Sequence, residues 1–253
     1  MAESAPTAAD RALDEGAVDE SGLRVALSPY LFRGMMVGMA GVAIGIHRTT
    51  GSRSLAWGFA KARARDLATL LGVEVTMHGI EHVEKAGPVI YAPNHQSHLD
   101  ILTLLGHLPG ATRFAAKREL WRHPIVGGVL DTLGMIPIDR DAGERSIEVL
   151  NAAAKDSSSI VIFPEGTRSR DGSLRDFKKG AFVLAIATGL PIVPVCCVGT
   201  RRLMPRGSQL TVVPGKVEIF VEPPIQTTDL TYEDRDALAA RVREAILKNH
   251  KGY

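Results

Sequence analysis

From residue 73 onward the chain alternates short runs of consecutive apolar residues with longer helical stretches. That alternation limits the folds open to it more than any other feature. Runs at 89–92, 135–138, 160–163, 192–198 and 217–221 have the length of strands, too short for helices. Several are apolar on successive residues, the pattern of strands buried on both faces. Helical stretches fall at 99–107, 146–154 and 179–188, and 232–248 reads as a polar-faced helix covering the sheet. Such alternation predicts an α/β domain over residues 73–253, with a largely parallel central sheet flanked by helices.

Two segments precede this domain. Residues 34–46 are uncharged and apolar, a run of thirteen where a bilayer span needs roughly 20. Arg33 and His47–Arg48 bracket it, so it reads as a re-entrant or interfacial helix with basic ends among lipid headgroups. A Gly-rich helix inside a soluble core is the other reading. Residues 54–71 interleave Leu55, Trp57, Phe59, Leu67 and Leu70 with Lys61, Arg63 and Arg65, which suits a membrane surface or a core-packed helix with a solvated basic face. Together they make residues 23–72 an expected membrane-associating helical segment, which Gly72 stops.

Residues 1–22 carry six acids and one base, a net −5, and read as a disordered acidic tail. That is the opposite of a signal peptide. Since the whole chain is +2, the body carries +7. A basic body calls for anionic partners: phosphate esters, a membrane surface or nucleic acid. Aromatics make up only 5% and are not interleaved with the bases, which argues against nucleic acid. A composition of 45% hydrophobic and 23% charged residues excludes a wholly disordered chain. The two cysteines, Cys196 and Cys197, are adjacent, so they cannot staple distant segments or make a CxxC zinc site. They read as small buried core residues of a protein in a reducing compartment.

The first chemically informative segment is Tyr91-Ala92-Pro93-Asn94-His95-Gln96-Ser97-His98-Leu99-Asp100. A strand ends at Pro93 and a helix begins near Leu99, at a strand's carboxyl end, where α/β proteins set their sites. His95 and Asp100 are five apart, so they meet only with His95 in the loop and Asp100 in the first helical turn. Asp100 then accepts from the imidazole Nδ1–H and leaves Nε2 free as a base. Two other readings stay open: Asn94 or Ser97 capping the helix, and His95 with His98 at metal-ligand spacing. The second segment, Phe163-Pro164-Glu165-Gly166-Thr167-Arg168-Ser169, also follows a buried strand. Gly166 admits a close backbone approach, Arg168 offers a planar fork to phosphate oxygens, and Glu165 needs a cationic or hydroxyl partner. Lys117 and Arg140 are further anion-contact candidates or solvated surface charges.

These residues fall into an order that resembles a known family. Asn94-His95-x4-Asp100, Lys117-x-Glu119-Leu120 through Arg140, Phe163-Pro164-Glu165-Gly166-Thr167-Arg168 and Val193-Pro194-Val195 resemble the four ordered motifs of the glycerolipid acyltransferases. The likeness is to the bacterial 1-acylglycerol-3-phosphate (lysophosphatidic acid) acyltransferase type and covers about residues 73–222. It implies transfer of a fatty acyl group from acyl-CoA or acyl-carrier protein to a lysophospholipid hydroxyl, giving phosphatidic acid. No metal or cofactor is implied beyond that co-substrate. In this reading His95 is the general base and Asp100 holds its tautomer. Arg168, with Gly166 and Thr167 beside it, binds the acceptor phosphate; Glu165 orients the glycerol, and Lys117 and Arg140 complete a cationic pocket. The membrane-facing segments bring the site to a bilayer substrate on the cytoplasmic face. Another acceptor, a metal-dependent phosphoesterase using His95, His98 and Asp100, and a non-catalytic lipid-binding protein are the rival readings.

Overall fold

The computed structural model describes residues 20–138 and 158–250. The expected acidic tail (1–22) lies almost wholly outside the described residues, and so do Arg140 and the expected helix at 146–154. Seven strands form one sheet: β1 (Val73–His78), β2 (Ile90–Pro93), β3 (Thr112–Lys117), β4 (Ile136–Ile138), β5 (Ser159–Val161), β6 (Ile192–Val198) and β7 (Gly215–Val221). Their order is β1-β7-β6-β2-β5-β3-β4. Every neighbouring pair is parallel except β6 with β7. The α/β class and the largely parallel sheet expected from the apolar runs are what the chain adopts.

Strand periodicity sorts the sheet's side chains into two cores. Tyr91, Val193, Val195 and Cys197 face one, while Ile90, Ala92, Ile192, Cys196 and Val198 face the other. The first core is covered by α1 (Glu20–Thr50), α2 (Arg53–Leu70), α3 (Leu99–His107) and α4 (Pro124–Thr132). The second is covered by α5 (Gly180–Thr188) and α7 (Arg235–Leu247), while the single turn α6 (Thr200–Leu203) follows β6. All seven residues of β6 are buried, as the unbroken apolar run required. Pro194 is tolerated in this central strand because the β7 ladder starts one residue later, at Val195, and its carbonyl accepts the Glu222 N–H at 3.0 Å. Cys196 and Cys197 are free and buried, and burial pushes the Cys196 thiol up to about 12.

Three elements were not legible as regular structure. β1 alternates in burial, and β3 buries Thr112 and Phe114 but leaves Lys117 open, so neither shows a continuous apolar run. α4 contains Pro124, Gly127 and Gly128, residues of low helix propensity. Pro124 occupies the first helical turn, where its missing N–H costs nothing. A Cβ at Gly127 would stand 2.7 Å from the Trp121 carbonyl, so glycine there is a packing requirement.

The N-terminal region differs from its sequence reading in the length of its first helix. The thirteen-residue apolar run is the middle of one helix, α1, whose 31 residues extend about 46 Å. From Gly22 to Thr50 that helix is long and apolar enough to cross a membrane, and only 22% of its apolar window is buried. Trp57, on a helix read as suiting a membrane surface or packing on the core, is 5% exposed, and its Nε1–H donates to the Leu133 carbonyl at 2.9 Å. The basic side chains of α2 serve the fold too: Arg65 donates to the Gly106 carbonyl at 2.6 Å and Lys61 to Leu108, satisfying the last carbonyls of α3. Gly72, at φ +73°, ends α2 as expected.

Candidate active site

β2, β5, β3 and β6 run parallel, so the loops that follow them open on one edge of the sheet. The loop after β2 is fixed first by Asn94. Its Nδ2 donates to the Cys197 carbonyl at 3.0 Å and its Oδ1 accepts the Cys197 N–H at 2.7 Å. Asn94 therefore clasps a neighbouring strand instead of capping the helix. Ser97 caps weakly, accepting the Leu99 N–H at 3.2 Å, while its hydroxyl donates to the Met204 carbonyl at 2.7 Å.

Asp100 sits in the first turn of α3 and is completely buried. Its Oδ2 accepts three N–H groups: His95 Nδ1 at 2.8 Å, Gln96 N at 2.7 Å and Ser97 N at 2.8 Å. The two backbone donors and the helix N-terminus surround this oxygen with partial positive charge. That carboxylate in turn fixes the Nδ1–H tautomer of His95 and leaves Nε2 with a free lone pair. The His95 ring stacks on Phe163, centroids 3.9 Å apart at 23°, so both its position and its plane are set. Phe163 is a positioning residue the sequence reading quoted without a role. Its place two residues before Glu165, at a strand end, was the signal available.

The loop after β5 is sewn to the β2 loop by backbone. Glu165 Oε1 accepts the His95 N–H at 2.6 Å and Oε2 accepts the Arg175 N–H at 3.1 Å, while Ser169 N–H donates to the His95 carbonyl at 2.8 Å. Burial pushes the Glu165 carboxyl up to about 7 against the pull of those two donors. Gly166 turns at φ +68°, in the left-handed region that glycine alone adopts freely, with Lys178 lying over it. Thr167 and Arg168 follow, both partly exposed. Arg206, from the loop after α6, reaches the Arg168 carbonyl at 3.4 Å, and its charge adds to burial in lowering the Arg168 pKa. Two guanidinium groups thus share one side of the site. The sequence reading did not single out Arg206, and the base-rich stretch Arg201–Arg202–Arg206 was its only signal.

His95, Asp100, Glu165, Gly166, Thr167 and Arg168 therefore share one locality. Lys117 ends β3 on the same edge but forms an exposed ion pair with Glu119 at 3.0 Å. Arg140 lies outside the described residues. His98 is exposed, and partial burial together with the Arg168 cation lowers its pKa. Among the described residues, no three His, Cys, Asp or Glu side chains are grouped to hold a metal ion.

Comparison with known proteins covers the segment that carries both loops. The Acyltransferase family model matches residues 74–198, which include every strand from β2 to β6 and both loops. The crystal structure of the 1-acyl-sn-glycerophosphate acyltransferase PlsC from Thermotoga maritima superposes with a TM-score of 0.76 at 26% identity, covering 91% of this chain and 95% of that one. Over these residues the chain is similar to the acyltransferase family. It is 37% identical over 153 residues to the chloroplastic 1-acyl-sn-glycerol-3-phosphate acyltransferase BAT2 of Brassica napus, covering 59% of this chain and 44% of that one. It is 34% identical over 182 residues to the 1-acyl-sn-glycerol-3-phosphate acyltransferase alpha of Mus musculus, covering 70% and 64%. The matched stretch thus spans from under half to just under two thirds of these relatives' length.

Proposed function

We propose that this acyltransferase moves a fatty acyl group from acyl-CoA or acyl-carrier protein to the free hydroxyl of 1-acylglycerol-3-phosphate, yielding phosphatidic acid. The observation that carries the reading is His95, whose Nδ1 is bound to a buried carboxylate and whose Nε2 is free. His95 Nε2 takes the proton of the acceptor hydroxyl as its oxygen attacks the thioester carbonyl. The C–S bond then breaks, and the thiolate recovers that proton from the imidazolium. Asp100 stabilises the imidazolium without becoming protonated, so the substrate alcohol stands where a serine hydrolase places its own nucleophile. No covalent acyl-enzyme is required.

Arg168 supplies the acceptor's phosphate contact, with Arg206 beside it and the Gly166–Thr167 turn allowing close approach. Lys117 and Arg140 belong to the wider cationic surround. Glu165 acts on the acceptor through the two loops it joins, since both its oxygens are engaged. Residues 23–72 associate with the membrane, at its cytoplasmic face, through the open side of α1, because lysolipid and product both reside in bilayers. The names of the curated relatives and of the Thermotoga maritima structure support the same acceptor.

The test is an acyl-transfer assay of the purified chain with palmitoyl-CoA, offering lysophosphatidic acid and glycerol-3-phosphate side by side. Product from lysophosphatidic acid, absent with His95→Ala, is the expected result. Product from glycerol-3-phosphate alone overturns the acceptor, and full activity of a folded His95→Ala protein overturns the mechanism.

A further inference from the structure

A groove of about 400 Å³ lies between α1 and the loop at 207–211, outside the loops that hold His95 and Arg168. Tyr30 and Arg33 line it from the helix, and Ser208, Gln209 and Thr211 from the loop, with no carboxylate among the lining residues. Arg33 donates one Nη2 hydrogen bond to the Gln209 carbonyl at 3.0 Å. It has no ion pair among the described residues, so the rest of its five-donor fork remains to be used.

The loop wall is built at a cost. Gln209 and Leu210 are successive non-glycine residues in the left-handed region, at φ +52° and +74°. Conformations of that kind are strained for residues with a side chain and persist where surroundings enforce them. Here α1 enforces them twice, through Arg33 on Gln209 and through the Ser28 hydroxyl, which accepts the Val212 N–H at 2.9 Å. The result is a polar concavity whose single charge is positive.

Its level on α1 identifies the environment. Tyr30 is 71% exposed, and the turns after Arg33 expose Met36, Val37 and Val42. From Arg33 to Arg48 the helix runs about 22 Å, shorter than a hydrocarbon core of roughly 30 Å. Tyrosine and arginine next to such a stretch sit at headgroup depth.

We propose that this groove binds the phosphodiester of an anionic glycerophospholipid headgroup, with Arg33 as its phosphate contact and the Ser208 and Thr211 hydroxyls beside it. The site rests on the membrane-contact reading of α1. It is separate from the acceptor site, since neither Arg168 nor His95 lines it.

Calorimetric titration of the full chain with monomeric dihexanoyl phosphatidylglycerol tests it without a bilayer. Arg33→Gln is expected to weaken binding about tenfold, the loss of one charge-assisted contact. Ser208→Asp, which leaves the Arg33–Gln209 bond in place, should do the same if Arg33→Gln fails to fold. Arg48→Gln, removing an exposed base elsewhere on α1, and Arg168→Ala should leave binding unchanged. Unaltered binding in folded Arg33→Gln or Ser208→Asp overturns the site, as does loss of binding in Arg168→Ala. Inorganic phosphate competing as well as the short-chain lipid would make it a free-phosphate site and overturn the headgroup assignment. Binding of the wild type to neutral phosphatidylcholine vesicles reads the membrane-contact interpretation separately.

Discussion

The loop after β2 and the loop after β5 lie side by side, yet they are built on opposite rules. Around His95 the side chains that set the loop are held by directed bonds: Asn94 to Cys197, Ser97 to Met204, and Asp100 Oδ2 to three donors at once, with Asp100 Oδ1 and Gln96 Oε1 left without a partner among the described residues. Around Arg168 the cations are left with charge to spare, and Arg206 adds repulsion instead of neutralising it. Proton transfer needs a donor and acceptor held within a few tenths of an ångström, so rigidity belongs on the first loop. The proposed phosphate contact needs uncompensated positive charge within reach, and Arg168 on the second loop has no carboxylate ion pair among the described residues. Glu165 reconciles the two, anchoring the loose loop to the rigid one with backbone bonds that consume no cation.

That contrast can be broken by substitution, and the largest effect should come from the rigid loop. His95→Ala is expected to lower kcat by 10²–10⁴-fold, the usual contribution of a placed general base, with circular dichroism unchanged. Asp100→Asn should follow with a loss of about 100-fold in kcat and little change in either KM, because tautomer and plane are disturbed but not the binding surfaces. An Asp100→Asn effect confined to KM would contradict the division of labour. On the loose loop, Arg168→Ala should raise KM for lysophosphatidic acid about tenfold while leaving KM for acyl-CoA alone. Equal changes in both would mean that Arg168 shapes the site and does not bind the acceptor.

The tether between the loops sharpens the comparison through pH. The Glu165 carboxyl is raised from its usual value to about 7, so the folded chain keeps this proton after the unfolded chain has released it. Its contribution to stability is therefore fully present below about pH 4.5 and is lost as pH rises through 7. The loss amounts to roughly 3 kcal/mol, at 1.36 kcal/mol per unit. Denaturation midpoints of Glu165→Gln should lack that component of the decline when compared with wild type across this window. The smallest expected effect is none: EDTA should leave acyl transfer intact, and inactivation reversed by a divalent cation would restore the phosphoesterase reading.

What the sequence made legible follows from where its signals were strong. β6 and α3 were readable to the residue because one is apolar throughout and the other is bounded by polar loop and His107. β1 and β3 were not, since partly exposed strands carry alternation too short to stand out. The His95–Asp100 pairing could be inferred from spacing, but Asn94's grip on Cys197 spans 103 positions and no local pattern announces it. The two readings left open for the helix of Trp57 have the same origin. A tryptophan flanked by Lys61 and Arg65 looks interfacial until α3 and the Leu133 carbonyl are present to receive all three side chains.

The Asn94 clasp also has a consequence in time. The strand carrying the His95 loop lies between β5 and β6, both of which are later in the chain than β2 itself. A ribosome extending a chain by about 5–20 residues per second needs roughly 5–20 s to go from Asn94 to Cys197. Throughout that interval α1 and α2 have already been synthesised, while the loop bearing His95 still lacks the strand that holds it. The helices proposed to contact lipid can therefore emerge before the loop bearing His95 is fixed in place.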